Sequence, residues 1–249
     1  MDQNRQKEIF NFLQYIKHKR VTIFTGHYGS GKTELALNYA TYLQKHYSQL
    51  TLPLEVILVD LDLVNPYFRS QEAKKVLEKQ GIKAVVPPDE MRGSDLPVIV
   101  TEAFAAFAGL DRQLVVDVGG DDQGVLALGQ FRQWLTEGEY DFWLVVNPYR
   151  PFNENVDGIK LTRSRIEAAS RLRLTGLISN PNLGRDTTPE IIGEGHQIVE
   201  AAARDMELPI EFLAVNETVI GELNPKEQSI SEVPVLPIKI FVYPDWLNE

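Results

Sequence analysis

The chain has 249 residues, 43% hydrophobic and 24% charged, with a formal net charge of −10, which suits a soluble protein of one large α/β domain or two small ones. It contains no cysteine, which excludes disulfides and thiolate-held zinc or iron–sulfur sites, and no apolar run reaches the ~18 residues of a membrane span. The acidic balance argues against specific nucleic-acid or membrane binding, and without an apolar leader segment a cytoplasmic protein is expected.

Residues 7–19 carry Ile9, Phe10, Leu13 and Ile16 at the spacing of one helical face, so an N-terminal helix is predicted within 1–20. VTIFT at 21–25 is rich in β-branched residues and bounded by glycine, which predicts a buried strand. A helix is expected over 32–46, a strand over LEVILVD ending at Asp60, helical periodicity over 69–80 and a short strand at 83–87. The polar stretch PPDEMRGSD at 87–95 predicts a loop, and Pro97 opens a helix running to Ala108. Further strands are predicted at 113–118, 142–147, 174–180, 210–215 and 237–243, with helices near 122–136, 154–171 and 189–206. Alternating elements with continuously apolar strands imply an α/β fold. It would be a doubly wound, mainly parallel sheet of about seven or eight strands with helices on both faces. No repeat or linker divides the chain, so 1–249 reads as a single domain.

The segment GHYGSGKT, Gly26, His27, Tyr28, Gly29, Ser30, Gly31, Lys32 and Thr33, satisfies G-x-x-x-x-G-K-[ST] between a predicted strand and helix. Its glycines let the backbone wrap a phosphate chain with N–H groups inward, and the following helix start favours an anion. Lys32 would reach the β- and γ-phosphates, and the Thr33 hydroxyl would ligate Mg²⁺. Asp60 and Asp62 close a buried strand where α/β sheets face their ligand crevice. They can hold Mg²⁺ through water and orient an attacking water, or serve as two solvated acids of a turn. Asp117 ends the run LVVD in the Walker-B manner, and Gly120 completes D-x-x-G, whose backbone can meet a γ-phosphate. Asp121 and Asp122 read as caps of the next helix. Asn180 follows a strand, and its amide matches a purine edge or forms the turn before Pro181. The guanine-reading tetrad N-K-x-D is absent from the sequence, which points to adenine.

In chain order, the P-loop, the D-x-D strand end at 60–62, the D-x-G-G strand end at 117–120 and the strand–Asn segment at 180 resemble the MinD/ParA (CobQ/CobB-like) P-loop ATPases. LVVNPYRPF at 144–152 resembles that family's V-x-N-P strand end, and 208–219 its adenine-covering strand and loop. The resemblance implies Lys32 and Thr33 on phosphate and Mg²⁺, Asp60 and Asp117 in the metal's water shell, Asp62 on the hydrolytic water and Asn180 at the base. One departure is marked. The family's early signature lysine, which reaches across a dimer, is replaced by His27, followed by Tyr28. Histidine does not carry lysine's full charge at neutral pH.

The expected function is therefore a slow Mg²⁺-dependent ATPase, cycling between ATP and ADP as a conformational switch for an unidentified protein partner, with a homodimer allowed. Alternatives are an ATP-dependent small-molecule kinase or synthetase, a nucleotide-binding regulatory module with little hydrolysis, and a GTP-using metallochaperone. Arg69 and Arg150, just past strand ends, can reach phosphate or a partner's site, or form surface ion pairs. Lys160, Arg163, Arg165, Arg171 and Arg173 form a basic helix region that reads as a solvated face.

Overall fold

Runs of β-branched and aromatic residues become the central strands of the computed structural model, which describes residues 19–49, 54–61, 77–86, 101–120, 122–222 and 233–241. The strands are β1 (Val21–Thr25), β2 (Glu55–Asp60), β3 (Lys83–Val85), β4 (Arg112–Asp117), β5 (Tyr140–Val146), β6 (Gly176–Ser179), β7 (Ile210–Asn216) and β8 (Val235–Ile238). Among the described residues they form one eight-stranded sheet in the order β3-β2-β4-β1-β5-β6-β7-β8. Every pairing in it is parallel. Parallel strands need covering on both faces, which is why β1 and β5 are buried at every position.

The helices are α1 (Lys32–Tyr47), α2 (Thr101–Ala108), α3 (Asp122–Leu128), α4 (Val156–Ser170), α5 (Pro189–Met206) and the single turn α6 (Glu217–Ile220). α1 covers one face, packing Leu35, Tyr39 and Leu43 with Phe24, Trp143 and Phe212. Phe24 and Trp143 meet edge to face with ring centroids 5.4 Å apart, a geometry worth about 0.5–1.5 kcal/mol beyond area burial. On the other face α2, α3, α4 and α5 bury Phe107, Leu128, Ile166 and Val199 against Ile23, Val116 and Leu144.

Two expected elements differ in extent. The expected helix over 122–136 is α-helical only to Leu128 and tightens into a 3₁₀ turn, Gly129–Trp134. The last strand begins at Val235 and stops at Ile238, earlier than the 237–243 expected. The reason lies in α1. Asn38 accepts from Lys239 N at 2.9 Å and donates back to its carbonyl at 2.8 Å. Glu34 accepts from Phe241 N. The chain thus leaves the sheet to bond with a helix. Pro237, which has no N–H to give a neighbour, sits on the edge strand where that is tolerated. The N-terminal helix, most of 69–80, the 87–95 loop, Asp62, Arg69 and Asp121 lie outside the described residues.

The strand order positions the site. After β1 the chain crosses to β2 on one side, and it later enters β5 on the other, so β1 stands between β4 and β5. Ligands of open α/β sheets bind beyond the carboxyl ends of strands at such a switch point.

Candidate functional site

Gly26 to Thr33 link the end of β1 to the first turn of α1. The loop closes on itself through Ser30 N, which donates to the His27 carbonyl at 3.0 Å. Gly31, the residue before α1, holds a φ of 88° and gives the helix no side-chain cap. A side chain there would be strained and would also strike Asn180 Nδ2, only 2.5 Å from an added Cβ. The uncapped first turn leaves backbone N–H groups for an anion. Lys32 is buried, only 6% exposed.

Four other segments converge on this octapeptide. At the end of β4, Asp117 accepts a hydrogen bond from Thr33 Oγ1 at 2.5 Å. Asp60 stands directly beside Asp117 in the β2–β4 register, and both are buried. Gly120 presses on the loop's start, where an added Cβ would lie 1.9 Å from the Gly26 carbonyl oxygen. From β6, Asn180 is 3% exposed and its Nδ2 donates to the Ser30 carbonyl at 2.7 Å. From the turn after β5, Arg150 Nε donates to the Gly29 carbonyl at 3.2 Å. His27 lies tilted against Phe152 with ring centroids 5.2 Å apart, and Tyr28 is 71% exposed at the rim.

The structure brings Gly26, Gly29, Gly31, Lys32, Thr33, Asp60, Asp117, Gly120 and Asn180 together at the carboxyl end of the sheet. Two further features escaped sequence reasoning, and a third was foreseen only in part. Asn147, 2% exposed, donates to the Asn182 carbonyl at 2.8 Å and accepts from Tyr149 N at 3.1 Å, fixing the turn that carries Arg150. The N-P pair after β5 was its only signal. Arg150 was expected to reach phosphate or a partner's site, or to form a surface ion pair; its bond to the Gly29 carbonyl was not foreseen. Buried His196 meets Ser179, the neighbour of Asn180, through Nδ1 and Oγ 2.8 Å apart. Burial pushes its imidazole below the usual histidine range, with Glu200 opposing.

A phosphate chain and Mg²⁺ fit these residues. The glycine loop leaves no room for a Cβ at Gly26, Gly31 or Gly120. The hydroxyl of Thr33 and the carboxylates of Asp60 and Asp117 form an all-oxygen set suited to a hard cation. Among the described residues no group of three or more His, Cys, Asp or Glu could hold a metal ion. The basic region on and after α4 is partly neutralised, since Lys160 pairs with Asp205 at 2.7 Å and Arg173 with Glu167 at 3.1 Å. No described helix is long and apolar enough to cross a membrane.

No family model and no curated protein matches the chain. Among solved structures it is similar to the signal recognition particle receptor FtsY from Elizabethkingia anophelis. That match has a TM-score of 0.51 and 16% identity, covering 91% of this chain and 67% of that one. It is also similar to the cell division protein ftsY from Thermotoga maritima, with a TM-score of 0.53 and 16% identity over 83% of this chain and 68% of that one. At this identity the likeness is one of fold, an α/β P-loop NTPase fold. It corrects the resemblance to MinD/ParA ATPases, because the neighbours are FtsY receptors instead. Of the motifs behind that resemblance, the G-x-x-x-x-G-K-[ST] loop and the strand-end Asp117 are shared widely among P-loop proteins that hold phosphate and Mg²⁺, so these two do not separate its branches.

Proposed function

We propose that this chain is a Mg²⁺-dependent nucleoside triphosphatase that works as a nucleotide-driven switch for a protein partner in the cytoplasm. The observation that carries this reading is the 2.5 Å hydrogen bond from Thr33 to Asp117, which ties the P-loop helix to the end of β4 beside Asp60. Thr33, Asp60 and Asp117 would hold the metal, and Lys32 would bind the β- and γ-phosphates. Bound Mg²⁺ neutralises charge that develops on the phosphate oxygens. Gly120 supports the switching part of the proposal: its backbone rests on Gly26, so a shift of the D-x-x-G segment is felt by the loop. Asp62 is proposed to orient the attacking water.

ATP is the first reading for the nucleotide, because the N-K-x-D tetrad is absent. GTP is the second, because Asn180, the residue proposed at the base, does not choose between the two purines. One amide hydrogen is committed to Ser30, while Oδ1 is buried without a hydrogen-bond partner among the described residues. An acceptor left in that position suits the N1–H and N2–H₂ edge of guanine as well as the N6–H₂ of adenine.

Thermal melts with Mg·ATP, Mg·GTP and excess EDTA test the proposal. Ligand at a hundredfold over Kd stabilises by about 2.7 kcal/mol, a melting rise of roughly 5–10 °C for a chain of this size. The rise should vanish in Lys32→Ala and shrink without Mg²⁺, and the triphosphate giving the larger rise identifies the base. No rise with either triphosphate, or an equal rise in Lys32→Ala, would sink the reading.

A further inference from the structure

We propose that Arg150 is a catalytic arginine supplied within the same chain, reaching the phosphates from the turn after β5; this rests on the triphosphatase reading above. β5 pairs with β1 up to Thr25 opposite Leu144, so the turn after β5 must lie beside the loop after β1. That turn is firmly built. Arg150 N donates to the Asn147 carbonyl at 3.1 Å and Asn153 N to the Arg150 carbonyl at 3.1 Å. Tyr149 Oη anchors it to the Ile191 carbonyl at 2.7 Å. Gly195 of α5 lies so close that an added Cβ would be 2.9 Å from Pro148 and 3.0 Å from Tyr149.

The guanidinium leans on the phosphate cradle itself. Nε bonds the Gly29 carbonyl at 3.2 Å, and an added Cβ on Gly29 would lie 3.4 Å from the same nitrogen. That bond uses one of five N–H donors. Among the described residues no carboxylate pairs with Arg150, so Nη1 and Nη2 keep their charge and donors for a ligand. A surface arginine serving only as a tether would gain more from an acid than from a neutral carbonyl. His27, in the loop's second position, is instead turned onto the Phe152 ring. The loop's own cation is Lys32, and Arg150 supplies a second.

In the reaction, a bond forms between water oxygen and the γ-phosphorus while the bond from that phosphorus to the β–γ bridging oxygen breaks. The electron pair stays on the departing nucleoside diphosphate, and the water's proton passes to solvent as inorganic phosphate is released. Negative charge grows on the bridging and γ-oxygens, where a fixed guanidinium lowers the barrier.

Single-turnover hydrolysis by the full chain with Mg·ATP and Mg·GTP, over a range of protein concentrations, tests this. Arg150→Ala should lose on the order of 10³-fold in rate while binding the nucleoside diphosphate nearly as wild type. Arg150→Lys should recover part of the loss. Dilute guanidinium ion, below denaturing concentrations, should restore part of the Arg150→Ala rate, a rescue that mere structural damage does not show. The wild-type rate per molecule should be independent of protein concentration. If Arg150→Ala hydrolyses within about threefold of wild type while Lys32→Ala is inactive, this inference falls and the triphosphatase reading stands. A rate that rises steeply with concentration would place the cation on a second copy and overturn it too. Wild type that neither binds nor hydrolyses overturns both.

Discussion

A single methyl group placed on Gly120 would occupy the space of the Gly26 carbonyl, 1.9 Å away, with His27 N at 3.0 Å. Both neighbours are backbone, so neither can rotate aside, and relief requires moving the P-loop or the segment after β4. Gly120→Ala is therefore expected to cost about 1–3 kcal/mol in stability and to weaken Mg·triphosphate binding. Gly221 makes the useful comparison. Among the described residues an added Cβ there meets nothing within 4 Å, and Gly221→Ala should stay within about 0.5 kcal/mol of wild type. Denaturant melts of the two variants, with nucleotide titrations, check the pair. Equal behaviour would mean that the Gly120–Gly26 contact does not matter. Such contacts are invisible in a sequence, where D-x-x-G announces a motif but not the atom it rests against. Asn180 shows the same limit, because its partner Ser30 is 150 positions away.

At the scale of elements, boundaries were readable wherever the signals are local. α5 spans Pro189–Met206 as expected, since Thr188 caps it, Pro189 opens it and Glu207 leaves it in a left-handed conformation. The apolar runs likewise announced each central strand, and the P-loop its own place between β1 and α1. What failed was the last strand, whose end is decided by α1. Asn38 exchanges two hydrogen bonds with Lys239, 201 residues on. No pattern within 233–241 encodes that exchange. Asn38→Ala should lower stability by about 1–3 kcal/mol and raise amide exchange at Lys239. Unchanged exchange there would show that the C-terminal segment is held by other contacts. Helix α1 thus does two tasks, presenting the loop at its start and fastening the chain's end along its side.

Across the whole molecule, stability should depend on pH through two acids at the amino end of the sheet, Asp141 buried and Glu211 half-buried. Asp141 of β5 and Glu211 of β7 flank β6, where Gly176 leaves room; an added Cβ there would lie 2.6 Å from Glu211 Oε1. Burial first, and then the charge of Asp141, pushes the Glu211 carboxyl up to about 7. Burial also raises Asp141, against the Lys19 N–H it accepts at 2.7 Å. A carboxyl whose pKa is higher folded than unfolded favours the folded state when protonated. That contribution is complete below the ordinary glutamate range and is lost as pH rises through about 7. Melting temperature should therefore fall from about pH 5 to about pH 8, and Glu211→Gln should flatten the fall and melt higher at the alkaline end. A parallel curve for the variant would assign the dependence to other groups. At the opposite, carboxyl end of the sheet, the strand order has a mechanical consequence. β3, β2 and β4 form one wing and β5 to β8 the other, and β1, five residues long, is the seam between them. The octapeptide above that seam is gripped by Asp117 and Gly120 from one wing and by Arg150 and Asn180 from the other. It acts as a clasp: a displacement of a fraction of an ångström there pulls on both wings at once, so the remote edges at β3 and β8 answer to the same event without any helix having to unwind.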